Sequence, residues 1–95
     1  MMQGDVKATH RNSTGTVYSQ RTRVKGFSIC ATASLAGTLL LRDGGAGGSV
    51  LIEIDIPSNS NPNSFYVAVP QEGVLFETDV YATITNIASV TVFYG

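Results

Sequence analysis

Apolar and polar residues alternate with a period of two along most of this chain, and no stretch keeps helical spacing over a useful length. A chain of that kind buries its apolar surface by laying strands side by side, one face inward and one face wet. From Thr16 to Ala33, "TVYSQRTRVKGFSICATA" puts Arg21, Arg23 and Lys25 on one face and Val24 on the other. Around Phe27, Ile29 and Cys30 the same run becomes apolar on both faces. In "SVLIEIDIP", Glu53 and Asp55 share a face opposite Ile52, Ile54 and Ile56. Between "GTLLLRDGG" and that run lies Asp43-Gly44-Gly45-Ala46-Gly47-Gly48, which reads as a flexible hairpin tip, its glycines supplying positive φ.

The rest of the chain is punctuated in the same way. "PSNSNPNS" (Pro57–Ser64) is a loop by composition, and "FYVAVP" is a short strand halted by Pro70. "VLFETDVYATIT" makes one bent strand or two short ones, and "NIAS" is a tight turn into the last strand. Only "ATASLAG" (Ala31–Gly37) is a candidate for a helical turn. About eight or nine short strands, with turn signals between them, predict an all-β fold: an antiparallel β-sandwich, jelly-roll-like. The expected organisation is one domain over 13–95, preceded by an N-terminal arm, 1–12, that orders only against a partner.

Charged residues are only 14% of the chain, with Ser, Thr, Asn and Gly in their place. Such uncharged polar surfaces bury against other protein at little desolvation cost. The few charges are unevenly placed. Residues 1–42 hold all six bases, Lys7, Arg11, Arg21, Arg23, Lys25 and Arg42, against the single acid Asp5. Residues 43–95 hold six acids and no base. This split reads as complementarity, between two sheets of one subunit or between adjacent subunits. A nucleic-acid surface is not expected, since the pI is about 5.6 and binders of that kind are basic overall. No apolar run approaches the roughly 18 residues of a membrane span, and "MMQGDVKATHRN" shows no apolar core of a secretory signal. Cys30 is alone, so it reads as a small buried hydrophobe, and synthesis in a reducing cytoplasm is expected.

Residues suited to catalysis are sparse. His10 and Cys30 are the sole members of their types and lie far apart in sequence, which gives no triad and no transition-metal set. Glu53 and Asp55 are neighbours on one strand face, yet no loop with further oxygen ligands accompanies them, so they read as a solvated face. "RDGGAGG" opens a strand rather than a helix, and no lysine follows it, so it is not a phosphate-binding loop. The expectation is a protein that is not an enzyme and takes no cofactor or metal.

The stretch from Tyr81 to Gly95 contains no charged residue and includes Val92, Phe93 and Tyr94. An apolar strand with an open edge recruits other chains. Two arrangements cover it: pairing across subunits along Ser89–Tyr94, or a central place in the chain's own sheet. The first is the expectation here. "STGTVYSQRTRVKGFSI", "LLLRDGGAGGSVLIEIDIPS" and "GVLFETDVYATITNIASVTVFYG" together resemble small virion-associated proteins of marine tailed phages, cyanophages among them. That resemblance implies a virion component made in the bacterial host cytoplasm. Its favoured form is a capsid decoration (cement) protein that binds the major capsid protein as a homo-oligomer, a trimer first. A tail or neck component, or a carbohydrate-binding fibre tip using Phe65 and Tyr66, is the alternative. The partner-binding candidates are Lys7, Arg11 and the face of Arg21, Arg23 and Lys25, which meets either Glu77 and Asp79 of an adjacent protomer or the capsid, and Phe93 with Tyr94, as intersubunit or core packing.

Overall fold

A computed structural model describes residues 6–32, 35–58, 64–69 and 72–95. Nine strands account for most of them: β1 Lys7–Arg11, β2 Gly15–Tyr18, β3 Thr22–Ala31, β4 Gly37–Asp43, β5 Ser49–Ile56, β6 Ser64–Ala68, β7 Val74–Phe76, β8 Val80–Thr85 and β9 Ile87–Tyr94. A short 3₁₀ turn, Gly45–Gly47, joins β4 to β5. The first sheet runs β1-β9-β3-β6, with β7 also on β3, and the second runs β2-β8-β4-β5. Every pairing is antiparallel.

The pairings nest. β1 pairs β9, β2 pairs β8, β3 pairs β6 and β4 pairs β5, so the chain is one long hairpin rolled into two facing sheets. That is the jelly-roll order. It also decides where the apolar last strand goes. β9 lies between β1 and β3, with Val92 opposite both Thr9 and Phe27. Pairing of that strand across subunits is therefore corrected: both of its edges are taken within the chain. The arm is corrected with it. Lys7–Arg11 is a strand of the first sheet, held in register from Lys7↔Tyr94 to Arg11↔Val90. Residues 1–5 of the expected arm lie outside the described residues.

Alternation fixes which side chains meet between the sheets. Val24, Phe27 and Ile29 of β3, with Val90 and Val92 of β9, are fully buried from the first sheet. Leu39 and Leu41 of β4 and Val80 and Ala82 of β8 meet them from the second. Val24 and Phe27 are three residues apart, which breaks a period of two. The register shifts between Val24 and Gly26, so Lys25 is the extra residue of a bulge and the inward phase resumes at Phe27. This phase slip is what makes the sequence near Phe27 look apolar on both faces.

The expected ambiguity over "VLFETDVYATIT" resolves into two strands in different sheets, β7 and β8. "NIAS" likewise joins sheets rather than closing a hairpin. Asn86, at φ 55, turns the chain from β8 into β9, and its side-chain amide donates to the Ala36 carbonyl at 3.1 Å. Of the helical candidate "ATASLAG", Ala31 ends β3 and Gly37 begins β4, while residues 33–34 lie outside the described residues. So do residues 59–63 of the Pro57–Ser64 loop, Pro70, and the side chain of Phe65.

Candidate functional site

β1 begins with Lys7 opposite Tyr94, which is itself opposite Val24. The turn from β2 into β3 brings Arg21 to the same place, and Arg23 follows one residue into β3. These three cations line one open cavity of about 260 Å³, together with Tyr18, Thr22, Leu75 and Gly95. Its frame is tied down. The Tyr18 and Tyr94 rings pack with centroids 4.7 Å apart, the Tyr94 hydroxyl hydrogen-bonds the Thr9 hydroxyl at 2.7 Å, and the Gly95 N–H donates to the Arg23 carbonyl at 3.0 Å. Among the described residues, no carboxylate side chain lines the cavity. Chemically it is a place for an anionic group, met by two guanidinium forks and an ammonium.

The other cations and aromatics singled out as partner-binding candidates separate. Arg11 curls onto its own loop, donating to the Ser13 carbonyl and hydroxyl and the Thr14 carbonyl, each at 3.4 Å. Lys25 occupies the bulge, away from the cavity lining. Tyr94 is core, 5% exposed, and not a contact surface. Phe93 points to the opposite face, edge-to-face with Tyr66 at 5.9 Å.

Glu77 is exposed, whereas Asp79 is half-buried and engaged within the molecule. Asp43 and Asp79 each cap the other's loop. The Asp79 carboxylate accepts from the N–H groups of Gly44 at 2.8 Å and Gly45 at 3.1 Å. The Asp43 carboxylate accepts from the N–H groups of Thr78 at 2.8 Å, Glu77 at 3.0 Å and Asp79 at 3.3 Å. Gly44 sits at φ 110, where a side chain would be strained. The Thr78 and Glu77 N–H bonds hold the Asp43 carboxyl below the ordinary value of 3.8, against desolvation and with help from Asp79. Arg42 adds a bond from its guanidinium to the Gly48 carbonyl at 3.1 Å. The expected flexible tip is thus a clamped turn, because two carboxylates satisfy five backbone donors that would otherwise need water. The one signal for it in the sequence is an aspartate beside each of two turns, Asp43 before one and Asp79 after the other, a residue that readily bonds nearby backbone N–H groups.

The outer face of the first sheet is a second candidate. Three rungs cross it: His10, Thr91, Ser28 and Tyr66; then Ala8, Phe93, Gly26 and Ala68; then Ser89, Cys30 and Ser64. None of these is Asp, Glu, Lys or Arg. His10 Nδ1 hydrogen-bonds the Thr91 hydroxyl at 2.9 Å, and Tyr66 is 58% exposed. Gly26 is needed where it stands: a Cβ there would run into the Tyr66 hydroxyl and lie 3.1 Å from the Val67 carbonyl oxygen. The second sheet differs, for its edge strand β5 exposes Glu53 and Asp55. Sequence reasoning missed this neutral face as a unit, since its residues come from four strands that alternation alone does not place side by side.

No family model matches the chain, and neither a curated protein nor a solved structure does so.

Proposed function

We propose that this chain is a non-enzymatic structural protein of a phage particle, a capsid decoration protein that binds the head shell as a homo-oligomer. The observation that carries the reading is the neutral outer face of the first sheet, three rungs deep and free of formal charge, with Tyr66 and Phe93 on it. A flat face of hydroxyls, small residues and an aromatic pair meets another protein with little charge to desolvate. A jelly-roll frame keeps that face rigid, since every strand beneath it is also paired within the sheet. The likeness of its sequence to small virion proteins of marine tailed phages points the same way. The particle is the proposed location, and the major capsid protein the proposed partner.

Mass spectrometry of gradient-purified particles, with heads and detached tails analysed separately, tests this reading. High copy number in heads is the expected result. Confinement to tails selects the tail or neck alternative, and absence from particles overturns the proposal. The exposed Tyr66 ring favours one other reading, a glycan-binding tip. On a glycan array that reading requires saturable binding that is lost in Tyr66→Ala.

A further inference from the structure

Five large apolar side chains are exposed among the described residues, and two of them, Val50 and Leu51, are adjacent on β5 at 40% and 41%. β5 is an outer strand of the second sheet, paired only with β4. Glu53 and Asp55 follow on the same strand, both exposed. The usual protection of such an edge is a lysine or a proline, and neither occurs within β5. Acid takes their place. Two such edges brought together around Glu53 or Asp55 would set carboxylate against carboxylate, so the strand is guarded against its own kind and open to a basic surface.

The molecule carries such a surface elsewhere. Lys7, Arg21 and Arg23 line the cavity described above, with Tyr18 and Leu75 beside them. At about 260 Å³ it falls below the roughly 300–1,000 Å³ of pockets that enclose a drug-sized ligand. It suits one or two side-chain head groups. Residues two apart on a strand lie about 6.6–6.8 Å from each other, so Glu53 and Asp55 present two carboxylates over a similarly short span. Opposite charge is matched, the two acids with the three bases.

We propose that β5 of one copy seats against the Lys7–Arg21–Arg23 cavity of the next, with Glu53 and Asp55 supplying carboxylates to its three cations. This rests on the reading that the chain assembles with itself. The two surfaces lie at different places on one molecule. Asp55 pairs with Thr38, near the start of β4. Asp43, at the other end of β4, bonds the loop after Phe76, and Phe76 pairs with the cavity residue Thr22. The contact therefore joins two different surfaces, and repeated head to tail it makes a ring where the rotation between copies closes. Its charges are near the surface, so salt weakens it.

Sedimentation velocity at micromolar concentration tests the proposal with two neutralised variants, Arg21→Gln/Arg23→Gln and Glu53→Gln/Asp55→Asn, whose folding is checked by circular dichroism. The wild type is expected to assemble in low salt and to dissociate in high salt. Each variant alone is expected to be monomeric. An equimolar mixture is expected to form a pair and stop there, because only one intact edge meets one intact cavity. Wild type that stays monomeric in low salt overturns the proposal, and so do variants that assemble as the wild type does, or a mixture that gives no pair. Variants that assemble normally would leave self-association standing and remove only this interface. Absence from purified particles would remove the virion reading whatever the sedimentation shows.

Discussion

Asp43 and Asp79 illustrate how much a single side chain can hold in this molecule. Each looks in the sequence like an ordinary turn or surface acid. In the fold each carboxylate accepts backbone N–H bonds from the loop that carries the other. Asp43→Asn keeps the shape and removes the charge that three donors face. The variant is expected to unfold at lower urea concentration than the wild type at neutral pH. The pH dependence has a definite sign. The folded pKa of Asp43 is depressed, so its contribution is fully present above the ordinary value of 3.8 and is lost as pH falls through the lower folded value. Urea midpoints of wild type and variant should therefore converge in acid, and a constant gap across that range would refute the assignment. Lys25 teaches the opposite lesson. Its bulge left a trace in the sequence, the run near Phe27 that reads as apolar on both faces, but only the register against β9 shows a change of inward phase.

Among the elements, β1 does most to keep the molecule from sticking to itself. It is short and largely exposed, and an amphipathic reading of "KATHR" gives little reason to expect a strand. Yet it covers one side of β9 from Val90 to Tyr94, the apolar end of that strand. Alternation reports which face of a strand is buried and says nothing about which strand lies beside it. That is why the sandwich and its inward residues were legible, whereas the neighbours of β9 were not. Deleting residues 1–11 should convert β9 from a central strand to an edge. The expected outcome is a lower thermal midpoint and concentration-dependent aggregation, measured by light scattering. A truncated protein that stays monodisperse and as stable as the parent would show that β1 is dispensable cover.

At the scale of the whole molecule, the nested order joins the far ends of the chain. β1 with β9 and β2 with β8 are contacts of very long sequence separation, and among the four nested pairs only β4 with β5 is a local hairpin. Folds dominated by such pairings pay loop-closure entropy first and refold on the order of milliseconds to seconds. Stopped-flow refolding should fall in that range, and microsecond folding would contradict this dependence on long-range pairing. The local hairpin at the clamped glycine turn was the part of the topology most legible in the sequence, since its signal is carried by adjacent residues. The outer pairs had no such signal, for nothing within a short window of "KATHR" announces a partner beyond residue 86.

The register of β1 against β9 also determines how the protein bears a load. Lys7 stands opposite Tyr94 at the open end of that pair. Tension applied between those two residues would peel the ribbon like a zip, breaking one rung at a time, whereas a pull directed along the strands would have to shear all the rungs at once. The molecule is therefore easily unfastened by its extremities and hard to tear through its middle.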